Sequence, residues 1–240
     1  VNEVQTIAVI SAMREELAPL KQRLNIEEEG IKGGFLLSIA HFEGLRVILA
    51  VSGVGKANAA ACMQQVITLY RPSEVINIGA AGSLNDRLQV GAMVLVSESL
   101  YHDVDCTGVG EAPNTLPRIP RVIPSDSGLI QQLSQVAANL DLSCHTGRIA
   151  TGDTFVSDGE RRKSIRKQTD AELVEMETAA FAQIAYLNGI PFVSVRSVSD
   201  NADGEAEISF ETFLAETSER NARLLDTYLS VQAQQLQPVS

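Results

Sequence analysis

Residues 172–180 read Glu172-Leu173-Val174-Glu175-Met176-Glu177-Thr178-Ala179-Ala180, a short apolar run that fills with acids as it reaches a helix. About one αβ unit later comes a second strand-like run, Pro191-Phe192-Val193-Ser194-Val195-Arg196-Ser197-Val198-Ser199-Asp200, and it too ends in an acid. In open α/β folds ligands bind in the crevice outside the carboxyl ends of the strands. Two carboxylates and an arginine at that edge suit acid–base work on a neutral, hydroxyl-rich substrate. They suit a phosphate poorly.

Working outward, short apolar strands alternate with amphipathic helices. Residues 6–11 read as a first strand and Glu15 to Leu24 as the helix after it. Residues 34–40 and 46–51 read as a hairpin around Glu43-Gly44. A helix is expected from Ala57 to Leu69, a buried strand over 74–78 and another over 92–101. The proline- and glycine-rich stretch 106–124 predicts an irregular excursion. Helix 126–139, strand 145–151, helix 160–167, strand 171–175, helix 177–188 and strand 191–198 follow, then a long helix from about Phe210. Residues 232–240 are polar and expected to fray. This is the pattern of a single α/β domain over residues 1–240 with a mixed central sheet.

The chain as a whole bounds the partners. Its 240 residues fill one α/β domain, and 45% hydrophobic with 20% charged residues marks it as globular. A net charge of −11 and a pI near 4.8 argue against nucleic acid or an anionic membrane surface. No apolar run approaches the roughly 20 residues that span a bilayer. Thr6-Ile7-Ala8-Val9-Ile10 reads as a strand rather than a signal core. Three scattered cysteines, Cys62, Cys106 and Cys144, fit a reducing cytosol. A cytoplasmic protein is expected.

Several local motifs each admit a structural and a functional reading. Ser52-Gly53-Val54-Gly55-Lys56 follows a strand and opens a helix, but lacks the loop length and the hydroxyl residue of a phosphate loop. It is a tight turn that is either structural or brings backbone to a ligand. Gly79-Ala80-Ala81-Gly82-Ser83 reads as a small-residue loop after a strand, open to close strand–helix packing or to a ligand. His102-Asp103-Val104-Asp105 lacks metal-site spacing in a chain with three histidines, and no metal or other cofactor is called. Glu160 to Lys167 reads as a solvated helix face with local ion pairs. Glu16 sits in the first turn of a helix, where the dipole favours an acid and would also keep a water-orienting base ionised.

Taken together and in order, Ala12-Met13-Arg14-Glu15-Glu16, Ser52-Gly53-Val54-Gly55-Lys56, Tyr101-His102-Asp103-Val104-Asp105, Thr151-Gly152-Asp153-Thr154-Phe155-Val156, Val174-Glu175-Met176-Glu177 and Arg196-Ser197-Val198-Ser199-Asp200 resemble the 5′-methylthioadenosine/S-adenosylhomocysteine nucleosidase family of the nucleoside phosphorylase superfamily. The resemblance runs from the first strand to the last helix. It implies a three-layer αβα fold with a mixed, partly barrel-like sheet. It implies hydrolysis of the N-glycosidic bond of 5′-methylthioadenosine, S-adenosylhomocysteine or 5′-deoxyadenosine, releasing adenine. Asp200 would protonate the imidazole-ring nitrogen of adenine, with Ser199 supporting it. Glu16 would orient and deprotonate water, and Glu177 would hold the ribose hydroxyls. Met176 would pack on the sugar and Arg196 would steady the acids, with Glu175 grouped among the substrate-binding residues. Phe155 would stack on adenine, Val156 would read its edge, and Val54 and Phe210 would line the 5′ side. Subunits of that family pair, so a homodimer is implied, with Val109 of one copy closing the pocket of the other.

A positioned acid is worth typically about a hundred- to ten-thousandfold, and an aspartate serves near neutral pH only when its pKa is raised. Two positions depart from common members. Ala80 stands where many carry a serine beside the attacking water, which leaves water-holding to Glu16, Glu177 and Arg196. Val109 stands where several carry an aromatic, which leaves the 5′ substituent open. Asp200-Asn201-Ala202-Asp203 and the run to Phe210 also resemble members that hydrolyse aminodeoxyfutalosine. A phosphate-dependent nucleoside phosphorylase on the same fold would need arginines in the early loops. A non-catalytic nucleoside binder would need only the ribose-holding acid.

Overall fold

The computed structural model describes residues 4–202 and 206–236, and of residues 206–212 the backbone only. The elements run β1 (Thr6–Ser11), α1 (Arg14–Lys21), β2 (Ile26–Lys32), β3 (Phe35–Phe42), β4 (Leu45–Val51), α2 (Lys56–Tyr70), β5 (Glu74–Ser83) and β6 (Met93–Tyr101). After a 3₁₀ turn (Thr107–Val109) come β7 (Ile123–Pro124), α3 (Ser127–Asn139), β8 (Cys144–Thr151), α4 (Gly159–Thr169), β9 (Leu173–Glu175), α5 (Thr178–Asn188), β10 (Phe192–Asp200) and α6 (Ala206–Leu236).

β1 shows why the molecule is layered. All its residues are buried, because the sheet is covered on both faces. Ile7 and Val9 pack with Leu17, Leu20, Leu133 and Leu225 of α1, α3 and α6. Ala8 and Ile10 pack with Met63 and Val66 of α2 and Phe181 of α5. Period-2 alternation thus sends neighbouring residues into opposite cores.

β5 organises the sheet. Its first half pairs in parallel with β1, and its last residues, Gly82 and Ser83, pair antiparallel with β9. Along its other side it pairs in parallel with β10. Since β10 pairs β6, β6 pairs β8 and β8 pairs β9, five strands close into a ring. The strands β1, β4, β3 and β2 continue the sheet outward from β5. The fold is a three-layer αβα arrangement with a mixed, partly barrel-like sheet.

Several boundaries differ from the sequence expectation. Gly79 to Ser83 is strand, not loop, because these residues pair with β10 and β9 where the ring closes. β2 was not anticipated, since Glu27, Glu28 and Glu29 disguise it; it is an edge strand, where charges are favoured. The last helix begins at Ala206 and runs to Leu236, so residues 232–236 are helical. Gln232 donates to Gln132 and Ala233 is fully buried, which anchors that last turn. Residues 237–240 lie outside the described residues. The stretch 106–124 is irregular as expected, broken only by the 3₁₀ turn and the two-residue β7.

Candidate active site

Four acids, Glu16, Glu175, Glu177 and Asp200, line one cavity of about 410 Å³. Its volume falls within the usual range for small-molecule sites. Glu16 comes from the first turn of α1, where its Oε2 accepts from the Met13 N–H at 3.1 Å. Its Oε1 accepts from the Ala80 N–H at 3.0 Å, which ties α1 to β5. A side chain at Gly79 would run into this carboxylate and the Arg196 guanidinium, so the small-residue run is needed for close approach. Burial pushes the Glu16 pKa up, partly opposed by Arg196 and by the N–H donors.

Glu177 stands at the start of α5 and accepts from the Gly55 N–H at 2.8 Å. Gly55 has φ of +99°, a conformation that suits glycine, and its amide is aimed across the cavity by the turn before α2. Burial and then the neighbouring Glu175 push the Glu177 pKa up to about 8. Asp200 ends β10. The Ser199 hydroxyl donates to its Oδ2 at 2.7 Å and the Ala202 N–H to its Oδ1 at 2.8 Å. The register with β5 shifts between Val198 and Asp200, and such a bulge re-aims side chains. Ser199 and Asp200 therefore both line the cavity.

Val54, Ala80, Phe155, Val156, Glu175 and Met176 line the same cavity. Val54 and Phe155 are half exposed at its rim, whereas Val156 is buried. Arg196 does not line it. The arginine lies behind, with Nη2 donating to Glu175 at 2.7 Å, Asn77 at 2.6 Å and Thr178 at 2.8 Å. Glu175 has little left for a ligand, since it also accepts from the Glu177 and Thr178 N–H groups and from the Thr151 hydroxyl. Val109 is 79% exposed on the 3₁₀ turn and is not part of the cavity wall within this chain. The side chain of Phe210 lies outside the described residues.

Ala12, Met13, Ala81, Gly82, Thr154 and Val174, which stand in the quoted motifs but carried no role of their own in the sequence, complete the wall. Each adjoins a predicted site residue or lies within a few positions of one, so strand ends read as whole segments would have found them. The sequence reading also gave no role to Asn77, Thr151 and Thr178, whose polar groups are buried within strands and a helix start. Lys56, in the apparent phosphate turn, points to Asp103 instead, with Nζ 2.7 Å from both carboxylate oxygens.

A family model described as the phosphorylase superfamily matches residues 6–230. The 5′-methylthioadenosine/S-adenosylhomocysteine nucleosidase of Geobacillus kaustophilus (strain HTA426) is 40% identical over 95% of this chain and 97% of its own. The Neisseria meningitidis nucleosidase of the same name, solved with methylthio-immucillin-A, superimposes with a TM-score of 0.91 at 36% identity, covering 95% and 99%. A futalosine hydrolase of Helicobacter pylori strain 26695 superimposes with a TM-score of 0.93 at 29% identity, covering 96% and 100%. The fold is that of the phosphorylase superfamily. Within it, this chain belongs to the 5′-methylthioadenosine/S-adenosylhomocysteine nucleosidase family.

Proposed function

We propose that this chain hydrolyses the N-glycosidic bond of adenosines substituted at the 5′ carbon, releasing adenine and the 5′-substituted ribose. The observation that carries the reading is the convergence of Glu16, Glu177 and Asp200 on one largely apolar cavity. Asp200 gives a proton to the imidazole-ring nitrogen of the departing adenine, and Ser199 holds it in place. The glycosidic bond breaks with its electron pair leaving on the base, so the sugar becomes cation-like. Water adds to the anomeric carbon and Glu16 takes its proton, a role that the raised pKa of a buried carboxylate suits.

Glu177 holds the ribose hydroxyls. Burial and Glu175 hold its pKa well above the usual carboxylate range, and a nearby sugar cation favours its anion. Phe155 stacks on the base, the Val156 backbone meets its edge, Met176 packs on the sugar, and Val54 borders the 5′ group. Arg196 and Glu175 act as positioning residues, because their hydrogen bonds go to the protein.

Water rather than phosphate is the acceptor. No lysine, arginine or histidine is among the described residues that line the cavity. Arg196 spends its donors on Asn77, Ala80, Glu175 and Thr178. Substrates include 5′-methylthioadenosine, S-adenosylhomocysteine and 5′-deoxyadenosine, and the likeness to a futalosine hydrolase supports aminodeoxyfutalosine as a further one. The chain works as a homodimer in the cytoplasm, Val109 of each copy closing the 5′ end of the other's pocket. No described helix is long and apolar enough to cross a membrane.

Adenine release from 5′-methylthioadenosine, measured with and without phosphate, tests the reading. Equal rates are expected. A phosphate requirement would make the chain a phosphorylase, and binding without release would make it a nucleoside binder.

A further inference from the structure

At the rim of the cavity, outside the acid cluster, three charged side chains tie two loops together. Lys56 is the first residue of α2, next to the Gly55 whose N–H holds Glu177. Its backbone N–H donates to Asp153 Oδ1 at 2.8 Å, so Asp153 caps the start of that helix. Its Nζ reaches both oxygens of Asp103, just after β6, and lies 3.7 Å from Asp153 Oδ2. The circuit closes where the Asp153 N–H donates to Asp103 Oδ2 at 2.8 Å. The ammonium also sits 5.5 Å from the centre of the Tyr101 ring, so its charge is further held in place.

Each link joins a different part of the site. Asp153 precedes Phe155 and Val156 by two and three residues, on a loop with no regular secondary structure. Its neighbour Gly152 is pressed against His102 and Asp103, where a side chain would collide with both. Gly55, on the other loop, would bring any added side chain within 3.1 Å of Asp153 Oδ1. The half-exposed Phe155 is thus carried by a loop whose described anchors include this set of charges.

We propose that Lys56, Asp103 and Asp153 form a positioning clasp that locks the base-stacking loop to the turn holding the ribose-binding carboxylate. The clasp sets the distance between the adenine and ribose subsites, so it is specific for an intact nucleoside over either fragment. This inference rests on the proposed reading of the cavity as an adenine-nucleoside site. Lys56 and Asp103 do not line the cavity. They act through Phe155, Val156 and Glu177.

The test uses Lys56→Gln and Asp103→Asn, which remove charge with little change of shape. KM for 5′-methylthioadenosine should rise about tenfold in each, with kcat within about threefold of wild type, because binding geometry and not the chemical groups is disturbed. The double variant should be little worse than either single one, as expected of groups acting as a unit. Lys56→Arg keeps a cation on Asp103 and should stay within about threefold of wild type. Lys163→Gln, which removes the exposed pair with Glu160, serves as a control for the general loss of an ion pair and should leave KM unchanged. Hydrogen exchange should quicken together at residues 53–56 and 153–156 in both clasp variants. Folded clasp variants with wild-type KM, or faster exchange in one stretch without the other, would overturn the proposal. If the wild type itself released no adenine, the nucleosidase reading would fail, and the paired exchange would still decide the clasp.

Discussion

Arg196 and Glu175 form an ion pair of 2.7 Å with side chains only 1% and 5% exposed, on two strands that end at the cavity. The carboxylate also receives the first amides of α5, so one anion neutralises both the guanidinium and the positive end of a helix. The pair fixes the base of the acid cluster, with Glu175 in the cavity wall and Arg196 behind it.

Removing either partner leaves a buried charge uncompensated. Arg196→Met or Glu175→Gln should each lower stability by about 3–5 kcal/mol in urea unfolding. The double substitution should cost less than the two single ones added together. Additive losses would show that the two side chains do not act as a pair.

Asp200→Asn should keep nucleoside binding and lose turnover by on the order of a hundredfold or more. The amide oxygen can still accept from the Ala202 N–H and the amide nitrogen can donate to the Ser199 hydroxyl, but the side chain cannot deliver the proton. Single-turnover adenine release reads the loss directly, and near-normal release would remove Asp200 from the acid's role.

Glu16 and Glu177 should separate in their effects. Glu177→Gln should weaken binding as well as turnover if, as proposed, its carboxylate meets the sugar in the bound state. Glu16→Gln should spare binding and reduce turnover if Glu16 activates water as proposed, because that step belongs only to the reaction. Calorimetric binding that fell more in Glu16→Gln than in Glu177→Gln would reverse the assignment.

The acid cluster also sets a pH dependence of stability. Glu177 has a pKa raised from 4.5 to about 8, chiefly by burial and then by Glu175, so between those values the folded chain holds a proton that the unfolded chain has lost. Stability from this group therefore falls as pH rises from about 4.5 towards 8 and stays lost above that. Glu16, raised by burial as well, acts in the same direction. Glu177→Gln should gain stability relative to wild type between pH 5 and pH 8.5, on the order of 1 kcal/mol or more. A melting-temperature difference that did not change across this interval would contradict the buried-acid account.

Val109 tests assembly. Its 79% exposure leaves an apolar side chain in water on an irregular segment, which pairing with a second copy would cover. Val109→Asp should weaken binding of 5′-alkylthio nucleosides and spare adenine, and sedimentation of the wild type should give a dimer. A fully active monomer would refute the shared pocket and leave the hydrolase reading standing.

The amino-acid order alone determined the alternation of elements and the places where acids stand. Apolar runs such as 191–198 carry their period and their ends within a few residues, and Glu16, Glu177 and Asp200 stand out as acids at junctions. The matching motifs, taken in order, also pointed to the family. Edge strand β2 stayed hidden because its solvated face takes charge without penalty. Gly79 to Ser83 read as loop because glycine and alanine carry no strand signal, and only closure of the ring makes them strand. The division of labour among polar groups belonged wholly to the tertiary structure. Arg196 turns away from the cavity because Asn77, Glu175 and Thr178, distant in the chain, supply its acceptors. Lys56 turns to Asp103 for the same reason, since a buried or half-buried charge goes where partners satisfy it, and those partners are brought near only by folding.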